Sequence, residues 1–162
     1  MTTIAVTGHM DLTEESAPLI REALEELLKE HAGEPLIGIS CIAKGSDSLF
    51  ADAVLAVGGR LVVVIPSHDY RLRKVKPDHA ALFDHLVEAA YEVLVMGHET
   101  ANRQAYESAN AVLLERADRL FAVWNGEPPT GKGGGTADVV AEARTAGLPV
   151  DVVWPDGAAR AS

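Results

Sequence analysis

Leu61-Val62-Val63-Val64-Ile65 is five apolar residues in succession, four of them β-branched, with Pro66 directly after. A strand wetted on one side alternates apolar and polar residues, so an unbroken apolar run of this length reads as a strand covered on both faces. The pattern recurs along the chain. Residues 4–6, 36–39, 93–96, 120–123 and 150–153 are further apolar runs of strand length, which predicts six strands in all. Between them, residues 13–31, 46–57, 78–90, 100–117 and 136–146 place apolar side chains three and four apart, the spacing of one helix face. Thr13 before Glu14, Glu15 and Ser16 predicts an N-cap with an acidic first turn, and Gly33 and Gly147 stand where helices end on glycine.

Strand and helix in strict alternation give the α/β class. The expected architecture is a single doubly wound, mostly parallel, Rossmann-like sheet with helices on both faces and all strand carboxyl ends at one edge. With 162 residues, 48% of them hydrophobic, the chain is long enough for one core and too short for two ordinary domains. One domain over residues 1–155 is expected, followed by a small polar tail, 156–162, that frays.

The charge excludes some partners. With 24 acidic against 14 basic residues, a formal charge of -10 opposes broad contact with nucleic-acid backbone or anionic membrane, so nucleic acid is not expected as a partner and a small ligand fits better. Cys41 is the one cysteine, so no internal disulfide forms; it reads as a small hydrophobe rather than a nucleophile. No signal peptide or membrane-length apolar stretch is seen, and a cytoplasmic location is expected. Arg71, Arg73, Lys74 and Lys76 concentrate positive charge in residues 67–77, which read as a solvated connector.

Ligands of open parallel sheets bind beyond the strand carboxyl ends, so the residues after each strand form the candidate site. These are Thr7-Gly8-His9, then Ser40-Cys41 with Gly45-Ser46-Asp47, then Pro66-Ser67-His68, Gly97-His98, and Trp124-Asn125-Gly126. The last leads into Gly131-Lys132-Gly133-Gly134-Gly135-Thr136, where glycines let backbone N–H groups approach an anion, Thr136 adds a hydroxyl, and the next helix points its positive end at the same place. The run is not a Walker A loop, since no Ser or Thr follows Lys132; a plain glycine connector would read the same way. His9, His68 and His98 can contact a phosphate, move a proton or simply cap strand ends, and Trp124 reads as packing before stacking. No compact metal-ligand spacing occurs, so neither a metal nor a required cofactor is expected.

Val6-Thr7-Gly8-His9, the stretch Ser40-Cys41-Ile42-Ala43-Lys44-Gly45-Ser46-Asp47 and Gly133-Gly134-Gly135-Thr136 together resemble the SLOG superfamily, the Rossmann-like group that contains DprA and the LONELY GUY phosphoribohydrolases. The middle stretch is similar to the S-G-x-A-x-G-x-D turn of the DprA group, and the last to the G-G-x-G-T loop of the phosphoribohydrolases. The resemblance implies binding of a nucleotide or nucleotide-derived ligand, of nucleoside monophosphate, NAD or ADP-ribose type. Gly8, Gly45, Ser46, Gly133, Gly134, Gly135 and Thr136 would hold phosphate, with Thr7, His9, Asp47 and Asn125 nearby. The alternative it implies is hydrolysis of a nucleoside 5′-monophosphate at its N-glycosidic bond, with Asp138 and Glu142 as acids and Arg103 as the cation. The chain departs from the hydrolase pattern where Lys132 precedes the glycines and Ala137-Asp138-Val139-Val140 replace paired glutamates. A homodimer or higher homo-oligomer is expected, with Ala105, Ala109, Val112 and Leu113 of helix 100–117 available to core or interface.

Overall fold

The computed structural model describes residues 1–129 and 135–161. The chain runs through β1 (Thr2–Gly8), α1 (Ser16–Lys29), β2 (Leu36–Ser40), α2 (Ser46–Ala56), β3 (Arg60–Ile65), α3 (Tyr70–Arg73), α4 (Pro77–Ala89), β4 (Glu92–Val95), α5 (Arg103–Arg116), β5 (Arg119–Val123), α6 (Thr136–Thr145) and β6 (Val150–Val152). All strands pair in parallel in one sheet ordered β4-β3-β2-β1-β5-β6. The chain therefore builds outward from β1 to β4, returns across the sheet, and builds outward again on the other side of β1. The doubly wound expectation is met.

Side-chain alternation along the strands feeds two helical layers. Ile4, Val6, Phe121 and Val123 pack with Ile20, Leu24 and Leu28 of α1 and Phe50 and Val54 of α2. On the same face Leu61 and Val63 meet Phe83 and Leu86 of α4. Ala5, Ile39, Val62, Val64 and Leu120 point the opposite way, onto Ala109 and Leu113 of α5 and Val139 and Ala143 of α6. The unbroken Leu61–Ile65 run has this cause: odd and even residues are both buried, each in a different layer. Ala105, Ala109 and Leu113 belong to this chain's own core. Among the described residues no helix is long and apolar enough to cross a membrane.

Two local expectations are corrected, and one is met. Thr13, ahead of the first residue of α1, does cap its start: its Oγ1 accepts the Ser16 N–H at 3.3 Å, its carbonyl accepts the Ala17 N–H at 3.3 Å, and its hydroxyl meets that of Ser16 at 2.6 Å. Residues 67–77 are not a bare connector, because Tyr70, the first residue of α3, is buried against Phe83 and Tyr106. The tail, over its described residues, is bonded to the body of the domain rather than free. Its N–H groups at Ala159 and Ala161 donate to Ser16 Oγ at 2.8 Å and to the Asp11 carbonyl at 2.6 Å, and Thr13 N–H donates back to the Ala159 carbonyl at 3.1 Å.

The helix α5 begins at a side-chain cap, Asn102 Oδ1 accepting the Ala105 N–H at 2.9 Å. Asn102→Ala leaves that N–H without its acceptor, and a loss of about 1 kcal/mol is expected. Urea unfolding of the two proteins measures it, and an unchanged midpoint would show that water replaces the cap in full.

Candidate functional site

The strand order reverses beside β1, where Gly8 pairs with Val123 of β5. Beyond that point one chain turns toward α1 and the other toward α6, and the gap between them is a cleft of about 590 Å³. A crevice at such a reversal is where doubly wound sheets bind ligands.

One wall is the turn from β2 to α2, which three serines hold together. Ser40 Oγ accepts the Ile42 N–H and donates to the Asp47 carbonyl, both at 3.0 Å. Ser46 Oγ donates to the His9 carbonyl at 2.7 Å, and Ser48 Oγ to that of Ala43 at 2.7 Å. Ile42 adopts φ 48, rare for a β-branched residue, while its carbonyl faces the His79 ring nitrogen at 3.0 Å. Gly45 adopts φ 87, and a Cβ there would lie 2.6 Å from the Met10 carbonyl oxygen. The turn so fixed delivers Asp47 to the cleft lining.

The electrostatics of that wall are set by desolvation. Burial is the main cause that pushes the Asp47 carboxyl up to about 7, against the opposing hydrogen bond from the Ala43 backbone. The Cys41 thiol beside it is pushed up by burial and by the Asp47 charge, which keeps it a poor nucleophile. His9 is buried next to the opening; burial first, then the Arg160 charge, hold its imidazole below the usual range. The Asn125 N–H donates to His9 Nε2 at 3.2 Å, a bond only the unprotonated nitrogen accepts.

The opposite wall is the start of α6, where Gly135, Thr136, Ala137 and Asp138 line the cleft and the Gly135 N–H donates to Asp138 Oδ2 at 3.2 Å. A helix N-terminus is a favourable place for an anion. Cations reach the cleft from two sides, Lys74 after α3 and Arg160 from the tail. Trp124 also lines it, with its indole N–H donating to the Glu127 carbonyl at 3.0 Å.

Of the residues singled out from sequence, Thr7, Gly8, His9, Asp47, Asn125, Gly135, Thr136 and Asp138 meet at this cleft. Gly45 and Ser46 lie beneath it: Ser46 is fully buried and its hydroxyl is committed to His9. Gly133 and Gly134 fall outside the described residues. The structure does not bring Arg103 or Glu142 into the cleft lining. The Arg103 side chain is 71% exposed and bonds Glu107 at 2.9 Å, and Glu142 is exposed one turn beyond Asp138. His68 and His98 sit beside each other past β3 and β4, where His68 N–H donates to the His98 carbonyl at 2.8 Å, away from the cleft. Tyr70, Lys74, Tyr106, Asn110 and Arg160 are cleft residues that sequence reasoning missed. Lys74 carried a signal in the basic cluster, whereas Arg160 carried none.

No protein-family model and no curated protein matches the chain. Solved structures do. DNA processing protein A (DprA) from Streptococcus pneumoniae superposes with TM-score 0.68 at 18% identity, covering 94% of this chain and 50% of that one. DprA from Helicobacter pylori, described for its single-stranded DNA binding mode, gives TM-score 0.63 at 16% identity over 93% of this chain and 64% of that one. The molybdenum cofactor binding protein from Rippkaea orientalis gives 0.59 at 16% identity over 96% and 77%. This chain thus spans half the length of the S. pneumoniae protein. The resemblance to the SLOG superfamily is borne out at the level of the fold. The expectation against nucleic acid is corrected by the same comparison, because a protein of this fold binds single-stranded DNA. Net charge averages a whole surface and says little about one cleft that gathers its own cations.

Proposed function

We propose that this protein binds a nucleotide in the cleft beside β1, with the phosphate at the N-terminus of α6 and the base toward Asp47, the nucleotide being either free or part of a single DNA strand. One observation carries the reading: a helix N-terminus, the cations Lys74 and Arg160, and the hydrogen-bonding side chains Asp47, Asn110 and Asn125 all line one cleft at the strand reversal. Gly135 and Thr136 are assigned to phosphate, and Thr7, Gly8 and His9 to the floor under it. Tyr106 and Trp124 are the flat surfaces available to a base or sugar. Cofactor and DNA binding by proteins of this fold are consistent with such a site. Binding is favoured over glycosidic hydrolysis, because Arg103 and Glu142 stand outside the cleft.

A thermal-shift panel of AMP, NAD, ADP-ribose and a short oligo-dT tests it. A ligand at ten times its Kd adds about 1.4 kcal/mol of stability, enough to raise the melting temperature by several degrees. A shift with mononucleotides alone identifies a small-molecule site, and a shift with oligo-dT identifies the strand. No shift with any member of the panel would remove the reading.

A further inference from the structure

Of the tail 156–162, read from sequence as a frayed end, residues 159–161 bond to the loop after β1, and Arg160 lines the cleft. Leu12 and Arg160 form an antiparallel bridge, and the Asp11 carbonyl, the Thr13 N–H and the Ser16 hydroxyl all bond tail backbone. Ser16 Oγ lies within reach of both polar groups of Ala159, at 2.8 Å from its N–H nitrogen and 3.2 Å from its carbonyl oxygen. Upstream, the Trp154 ring meets the His9 ring edge-on at 5.6 Å. The segment is thus pinned on both sides of Arg160 to the loop that follows β1.

That anchoring places the Arg160 guanidinium at the opening, where Nε donates to Asp11 Oδ1 at 2.9 Å. The pair is wet, its side chains 36% and 27% exposed, and an ion pair of that kind contributes little to the fold. Both residues line the cleft. The charge of Arg160 is also felt at the His9 ring inside it. A guanidinium presents a planar fork that matches phosphate as well as carboxylate, and phosphate offers more charge.

We propose that the tail is a wall of the ligand site and that Arg160 is a binding residue, which leaves the Asp11 carboxylate for a phosphate group of the bound ligand. The inference rests on the nucleotide reading given above. It differs from a strap that only holds the fold together, because a strap acts through Ser16 and backbone bonds and has no need of the arginine charge.

Isothermal titration of the intact protein with AMP and with inorganic pyrophosphate tests it, using wild type, Arg160→Gln, Arg160→Lys and Ser16→Ala. Loss of a charge-assisted contact predicts about tenfold or greater weakening for Arg160→Gln, partial recovery for Arg160→Lys, a shallower salt dependence, and an unchanged Tm. Ser16→Ala is expected to lower Tm and to weaken both probes as the tail loosens. If wild type binds AMP and Arg160→Gln binds it equally, the inference is overturned and the nucleotide reading stands. It is overturned as well if Arg160→Gln lowers Tm while the folded protein keeps its affinity, since that is the behaviour of a strap. If wild type binds neither probe nor any nucleotide of the panel, the reading falls and the role of Arg160 falls with it.

Discussion

Gly45→Ala is expected to cost the fold about 4 kcal/mol, the sum of backbone strain at a positive φ and overpacking against atoms that cannot retreat. The added Cβ would lie 2.6 Å from the Met10 carbonyl oxygen, 2.9 Å from that of His9 and 2.9 Å from Met10 Cα. All three are backbone atoms, and the His9 carbonyl is held in place by the Ser46 N–H and hydroxyl. Gly58 is the control. Its φ of +81 is nearly the same, yet no atom lies within 4 Å of its Cβ position, so Gly58→Ala meets strain alone and is expected to lose about 1 kcal/mol. Urea midpoints of the two variants separate the contributions. Equal losses would mean that the loop after β1 yields and that close approach at Gly45 is not what selects glycine there.

Asp47→Asn is expected to stabilise the protein at alkaline pH. The ordinary value for this carboxyl is 3.8, and burial raises it to about 7 in the folded state. Below 3.8 both folded and unfolded chains hold the proton and the group contributes nothing to pH dependence. Between 3.8 and about 7 the folded chain keeps a proton that the unfolded chain has lost, so stability falls as pH rises through that window. Above it the penalty is constant, on the order of 3 kcal/mol after allowance for the partial wetting of a cleft residue. Asparagine keeps the size and removes the titration. Unfolding free energies at pH 8 should therefore favour the variant, with the difference closing toward pH 4. Parallel profiles for the two proteins would place the Asp47 carboxyl in contact with water and return its titration to the ordinary range.

The fold was legible because it depends on local signals. Each predicted strand and helix lies within a few residues of its observed counterpart, and the two-sided burial of Leu61–Ile65 was written in its composition. The missed element, α3, is only four residues long, too short for any periodicity, and it is defined by Tyr70 packing on residues from α4 and α5. Site residues divide along the same line. Thr7, Gly8, His9 and Asn125, directly after the central strands β1 and β5, line the cleft, whereas His68 and His98 follow strands nearer the sheet edge and do not. Asp138 and Glu142 share a helix face, yet four residues advance a helix by about 6 Å, which leaves Glu142 beyond the cleft that Asp138 lines. Arg160 meets Asp11 across 149 positions of sequence, and no local pattern announces such a contact.

Placing β1 in the middle of the sheet has a consequence for synthesis. Its neighbour on one side, β2, follows closely, but Gly8 waits for Val123 on the other side, 115 positions later. At about 5–20 residues per second, β5 leaves the ribosome roughly 6–23 s after β1. During that interval the strand destined for the centre of the sheet is an open edge, able to pair with the wrong chain. The exposure ends only when β5 arrives and closes the second side of β1.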